Sequence, residues 1–248
     1  MKKFSLIELL VVVAIIGILS SLLLPTLGKA REKAKTAVCK SNMKQISIAI
    51  FMYNDDNDGY YPISQDGGWS WSDNISPYDG RNLTEDQKDQ NGLTGDNSGI
   101  YKCPSDEVQR TDTTKQARTY ALNLGRIVWG STNWRGYCRG ITSWGIGEMP
   151  SKGSSKSSEI NNASEVIAMA ESPEVGDYVG NSWGPESLTW QGQQYTVQIP
   201  HKGLNGSNYL MVDGSVQHLS FYATTTTPSS GFALHQIANT MWDAHKGE

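Results

Sequence analysis

The chain has 248 residues, a formal net charge of −4 and a pI near 5.6, a balance that argues against nucleic acid as a partner, which would favour a basic face. Gly is abundant at 25, and Trp stands at 8 against 4 Phe; that mixture suits a loop-rich, β-containing head outside the cytoplasm better than a compact helical enzyme. There is room for one long helix and one globular domain of about 190 residues.

Lys2 and Lys3 lead into an apolar run from Phe4 to Leu27 that is interrupted by one carboxylate, Glu8. As a helix this run is about 36 Å long, enough to cross a bilayer core of about 30 Å. A cleavable secretory signal has a shorter apolar core and an Ala-x-Ala-type site. Here the run continues into Lys29-Ala30-Arg31-Glu32-Lys33-Ala34-Lys35, which reads as more helix, so the segment is expected to stay on the protein. Glu8 either sits at headgroup depth or serves a function, the default for an ionisable group in a membrane helix.

The stretch Phe4-Ser5-Leu6-Ile7-Glu8-Leu9-Leu10-Val11-Val12-Val13-Ala14-Ile15-Ile16-Gly17-Ile18-Leu19 resembles the class III signal of type IV pilins and type II secretion pseudopilins. The resemblance implies cleavage by a prepilin peptidase between Lys3 and Phe4, methylation of the new Phe4 amine, and neutralisation of that amine by Glu8 of a neighbouring subunit. Lys3 departs from the Gly usual before the cut. Gly17 and Pro25 fall where relatives carry a Gly and a helix-loosening Pro. Counting basic residues on both flanks would place the C-terminal side in the cytoplasm; the resemblance implies the opposite side, and the more specific motif is followed.

Beyond Pro25, Leu27, Ala30, Ala34, Val38, Ile46, Ile50 and Tyr53 recur mostly at intervals of three and four, predicting an amphipathic helix whose apolar stripe needs a partner. The resemblance supplies one, the chain's own sheet. The helix is predicted to stop at Asn54-Asp55-Asp56-Asn57-Asp58-Gly59. Asn54, Asp56, Asp58 and Gly59 match the opening of a calcium loop, but the twelfth position is Gln65, without the bidentate carboxylate. Calcium is a weak candidate there, and no other cofactor is expected.

Residues 64–99 read as loop, anchored by Trp69, Trp71 and Ile75-Ser76-Pro77-Tyr78, with a mobile excursion over 82–99. Tyr53-Asn54-Asp55-Asp56-Asn57-Asp58-Gly59-Tyr60-Tyr61-Pro62 and Cys103-Pro104-Ser105-Asp106 are similar to elements of a pseudopilin-like subfamily with a C-terminal His-X9-Asp-Gly signature. Here His201 precedes Asp213-Gly214 by eleven intervening residues, so the signature is stretched by two. Cys39, Cys103 and Cys138 fit no zinc spacing. If the family reading places the head in an oxidising compartment, one disulfide is allowed; Cys39 with Cys103 is the preferred pair, although sequence does not fix connectivity.

Strands are predicted at Thr119–Asn123, Glu165–Glu171 (central) and Tyr195–Ile199. A hairpin is predicted from Asn208–Val212 and Ser215–Leu219 about a two-residue Asp213-Gly214 turn. Thr224–Thr227 reads as a linker and 231–245 as a short helix. Trp129, Trp134 and Trp144 either pack irregular loops or stack on sugar rings. No metal-ligand spacing is present among the four histidines and no Cys/His dyad is local, so no enzyme is expected.

The resulting expectation is a pilin-like α+β chain: leader 1–3, transmembrane helix 4–27, amphipathic half 28–54 and a β-rich head of antiparallel strands over 55–248. The resemblance implies a single-pass bacterial inner-membrane protein with a periplasmic head, forming a periplasmic or surface filament. Its implied partners are copies of itself or related pilin subunits, a prepilin peptidase, an inner-membrane assembly platform and membrane lipid. The alternative is a glycan-binding module on a pilin-like stalk.

Overall fold

A computed structural model describes residues 6–63, 65–66, 69–90, 92–95, 97–123, 141–142, 154–173, 176–179, 201, 206–220, 223–224, 241–242 and 244. Helix α1, Leu6–Asp56, runs through Pro25 without a break in its assignment, a length of about 77 Å at the usual rise. Pro25 has no N–H to offer the Ser21 carbonyl one turn back. The helix ends within the Asn54–Gly59 stretch where its stop is predicted; Asn57 and Gly59 donate to the Asn54 carbonyl at 3.1 and 2.8 Å, and Asp58 and Gly59 both take positive φ.

Two short strands, β1 (Gln65–Asp66) and β2 (Trp69–Ser70), pair antiparallel ahead of the one-turn helix α2 (Trp71–Asn74). A second one-turn helix, α3 (Glu85–Lys88), begins at Thr84, whose side chain accepts from Gln87 N. The main sheet is antiparallel throughout, in the order β3 (Tyr120–Leu122), β4 (Ile167–Glu171), β5 (Ser207–Met211), β6 (Val216–Leu219). Every residue of β3, β4 and β5 is buried, so these strands have cover on both faces. On one face Met43, Ile46 and Ile50 of α1 meet Tyr101, Leu122, Met169 and Leu210. On the other, Ile167, Tyr209 and Met211 pack with Trp242, whose ring meets Tyr209 edge-on at 6.0 Å. A long apolar helix and this sheet make the pilin-like α+β fold.

Several sequence expectations are corrected. The buried stripe of α1 is Thr36, Cys39, Met43, Ile46, Ile50 and Asn54, joined by Asn42, Ser47 and Ala49, whereas Leu27, Ala30, Ala34 and Val38 are exposed. Among the described residues the head meets the helix from Thr36 onward, and it accepts polar side chains because they find partners: Asn42 Nδ2 donates to Lys102 O at 3.3 Å. Apolar periodicity alone therefore picked the wrong face near the junction.

The excursion over 82–99 is pinned rather than loose: Leu93 is buried, its N–H donates to Val179 O at 2.8 Å, and Thr94 bridges Lys115. The β5–β6 connection is a three-residue loop. Gly214 N donates to Met211 O at 2.9 Å and Met211 N to Ser215 O at 2.8 Å. Gly214 alone carries the left-handed φ, +80°, where a type I′ turn would need it at Asp213 as well. Thr224 is buried, with Trp242 Nε1 donating to its hydroxyl at 3.0 Å, so the linker does not begin there. The predicted strand 195–199, Trp129, Trp134, Trp144, Cys138, Thr225–Thr227 and nearly all of 231–245 lie outside the described residues.

Candidate functional site

Two regions hold the residues singled out in the sequence. The first is the N-terminal half of α1. Every residue from Leu6 to Arg31 is exposed, and the most apolar 18-residue window has a mean hydropathy of 2.8 with none of it buried. Each such Leu, Ile or Val left in water forfeits about 1.5–3 kcal/mol, so a chain exposing this many together requires lipid or other helices around them. By length and composition, this is one helix able to cross a membrane.

Glu8 lies in the first turn of the helix, and Gly17 leaves open space around the position a Cβ would take. Ser21 and Thr26, flanking Pro25, turn their hydroxyls onto Ile18 O and Leu23 O at 2.7 and 2.8 Å, which keeps them compatible with an apolar surround. Lys3 and Phe4 lie outside the described residues.

The second region is a buried polar centre where α1 meets the sheet. Cys39 of α1 and Cys103 form a disulfide with a Cα–Cα distance of 5.0 Å, tying the helix to the segment before β3. Beside it lies His201, fully buried. Its Nδ1 is 3.0 Å from Thr36 Oγ1, and its Nε2 is 3.1 Å from Glu171 Oε1 and 3.7 Å from Cys103 Sγ.

Glu171, the last residue of β4, is buried and amply partnered. Asn208 of β5 donates its backbone N–H to Oε2 at 2.7 Å and its amide to Oε1 at 2.9 Å. The Asn208 amide oxygen in turn lies 3.0 Å from His218 Nδ1. A buried carboxylate is tolerable only with such partners. His201 thus joins α1 through Thr36, β4 through Glu171 and β5 through Asn208.

Asp213 and Gly214, the other members of the His-Asp-Gly signature, do not touch His201. Asp213 accepts from Ser215 N at 2.7 Å, and the Gly214 carbonyl receives the Lys44 ammonium of α1. The signature therefore clamps the sheet to the helix at two levels. Sequence reasoning missed Thr36, Glu171 and Asn208. The one available signal was a Glu closing an otherwise apolar strand prediction, which marks a buried charge in need of a partner.

The Cys-Pro-Ser-Asp element has a similar role. The buried Asp106 carboxylate takes Arg110 Nη2 at 2.6 Å and Thr119 Oγ1 at 2.7 Å, while Thr119 Oγ1 accepts from Cys103 N at 2.9 Å. Of the calcium candidates, Asn54 is buried and its amide, in the orientation its neighbours demand, donates to Ile50 O and Tyr60 O at 3.0 Å each. Asp56 accepts from Tyr78 OH at 2.8 Å. Near this corner burial pushes the Tyr61 hydroxyl up to about 12, with Asn54 pulling the other way.

A family profile described as "Protein of unknown function (DUF1559)" matches residues 28–154, just over half of the chain. The chain belongs to this DUF1559 family. The matched span covers the docked half of α1, the disulfide, the Cys-Pro-Ser-Asp element and β3. Among curated proteins the DUF1559 chain is similar to the type II secretion system core protein G of Pseudomonas aeruginosa, 44% identical over 64 residues, covering 26% of this chain and 44% of the relative. It is also similar to the type IV wide pilus major component PilA4 of Thermus thermophilus, 42% over 59 residues, 24% of this chain and 45% of the relative. The type IV major pilin protein PilA of Myxococcus xanthus matches at 34% over 69 residues, 28% and 31%. The chain spans less than half the length of each of these three relatives. No solved structure matches it significantly. Over about a quarter of its length the DUF1559 chain is thus similar to named pilins and to a type II secretion core protein.

Proposed function

We propose that the chain is a structural subunit that assembles through the first half of α1 into a filament of the type II secretion or type IV pilus kind. The observation that carries this reading is the helix itself: apolar and exposed on all sides over its first half, and docked on its own sheet over the second. A lone membrane anchor needs only lipid. A helix that also carries Glu8 near its start suits packing against copies of itself, where a neighbour's cationic amine offsets the cost of the carboxylate.

In this reading residues 1–3 are a leader removed by a prepilin peptidase, and the Phe4 amine, methylated, is the partner of Glu8 on the next subunit. Residues 4–27 hold the chain in the bacterial inner membrane, 28–54 dock, and the rest forms a periplasmic head. An inner-membrane assembly platform extracts the subunits. The similarity to named pilins and secretion core proteins supports the reading. Intact mass and N-terminal sequence of the chain from native membranes, co-expressed with a prepilin peptidase, test it. A chain beginning at a methylated Phe4 is expected; one retaining Met1–Lys3 would mean an unprocessed anchor and would sink the filament reading in this form.

A further inference from the structure

We propose that the disulfide centre has a second, reduced state in which Cys39, Cys103, His201 and Glu171 together hold one divalent cation of the zinc class. One ligand atom from each of these four residues lies within 4.8 Å of the other three. A tetrahedral zinc site with metal–ligand bonds of 2.0–2.3 Å has ligand-to-ligand edges of about 3.3–3.8 Å. Two edges are already near that length: His201 Nε2 to Glu171 Oε1 at 3.1 Å and to Cys103 Sγ at 3.7 Å. Breaking the disulfide lets the sulfur–sulfur edge lengthen, and the remaining edges all lie within 4.8 Å.

The surroundings hold the ligands as a metal site requires. Thr36 Oγ1 donates to Glu32 O at 2.9 Å, so it presents a lone pair to His201 Nδ1 at 3.0 Å. That places the ring proton on Nδ1 and leaves the Nε2 lone pair facing the sulfurs and the carboxylate. Ligating histidines are commonly oriented in this way through their other nitrogen. Glu171 offers Oε1 to the site while Oε2 stays on Asn208 N at 2.7 Å. Asn208 Nδ2, 3.0 Å from Nε2, keeps Glu171 as its acceptor at 2.9 Å. Two thiolates, an imidazole and a carboxylate form the mixed sulfur, nitrogen and oxygen set that zinc accepts.

The chemistry balances. A dithiol reductant gives two electrons and two protons to the disulfide, yielding Cys39 and Cys103 thiols and its own disulfide. A divalent cation then displaces one proton from each thiol and forms two metal–sulfur bonds, so the buried centre gains no net charge. Cys103, its side chain fully buried, borders an open cleft of about 600 Å³ that Lys102, Pro104 and Asp106 also line. The reverse exchange, in which the partner's disulfide takes two electrons from the two thiolates and two protons from water and leaves as the dithiol, re-forms Cys39–Cys103 and expels the cation, because a sulfur in a disulfide is no longer a thiolate ligand.

The test uses the full chain in detergent micelles carrying Cys138→Ser, reduced with a phosphine that is then removed, and Co²⁺ as the probe. One Co²⁺ per chain with a thiolate-to-cobalt charge-transfer band and tetrahedral visible bands is expected, displaced by Zn²⁺ and absent from the oxidised chain. His201→Ala is expected to lower cobalt affinity at least tenfold. X-ray absorption of the cobalt-loaded chain with His201 intact should show two sulfur and two nitrogen or oxygen donors, and this decides the matter if the variant fails to fold. No cobalt binding by the reduced chain overturns the proposal. Binding by the oxidised chain, an unchanged affinity and spectrum in His201→Ala, or a first shell without sulfur would do the same.

Discussion

Replacing Glu171 with Gln tests whether the His201 centre clamps helix to sheet. The carboxylate takes two donors, Asn208 N and Asn208 Nδ2, at 2.7 and 2.9 Å, and lies 3.1 Å from His201 Nε2. A glutamine of the same shape has one oxygen. If it faces Asn208 N, its own NH₂ points at Asn208 Nδ2, donor against donor, in a site closed to water. His201 can accept the new NH₂ at its bare Nε2, but Asn208 cannot turn without surrendering His218 at 3.0 Å. One buried donor thus loses its acceptor, a cost of about 1–3 kcal/mol. Glu171→Ala removes both of these hydrogen bonds and leaves a hole, and should cost more than Glu171→Gln, about 2–5 kcal/mol. Urea unfolding of the oxidised full chain in detergent, followed by tryptophan fluorescence, measures both. A Glu171→Gln chain within 0.5 kcal/mol of the parent would refute the reasoning, since it would mean that the two Asn208 donors have other acceptors.

Alkali should loosen the head. Burial pushes the Tyr61 phenol up to about 12 and those of Tyr101, Tyr120 and Tyr209 higher; the neutral phenol is favoured in the fold, so its contribution is intact below pH 10 and declines as pH rises through the folded values. Each costs up to about 1.4 kcal/mol per pH unit above 10, and ultraviolet titration should show a set of tyrosines ionising only as the chain unfolds. Cys39→Ser opens a loop spanning a sequence separation of 64 residues, an entropic loss of about 4 kcal/mol, read as a fall in the urea midpoint that the reduced parent shares. Gly214→Ala forces a Cβ into φ +80° and to 2.9 Å from the Phe51 ring; the backbone term alone should cost about 1 kcal/mol or more, measured in the same unfolding assay.

The membrane half of α1 was legible because nothing but an apolar surround accepts such a run. The central strand and the hairpin were legible because burial on a sheet imposes its period on the residues. The docking face of α1 was not. Thr36 and Asn42 are polar, and their burial is decided by partners 165 and 60 residues away, which periodicity does not register. The hairpin turn failed by one residue for a local reason: Asp213-Gly214 suits both a two-residue turn and the last two residues of a three-residue loop, and the pairing of Met211 with Ser215 chooses between them. His201 was noticed through the family signature, yet its partners lie on β4, β5 and α1 and share no spacing with it.

Cross-linking of adjacent α1 helices in native membranes tests self-assembly most directly. A chain carrying Ile16→Cys and Cys138→Ser, treated with a short bis-maleimide, should yield a ladder of covalent oligomers, because the exposed apolar face around Ile16 meets the same face of its neighbours. Adding Glu8→Ala should weaken the ladder several-fold while leaving the amount of chain in the membrane unchanged. Monomer alone at every cross-linker concentration, or a ladder untouched by the loss of Glu8, would contradict assembly through this helix and its carboxylate.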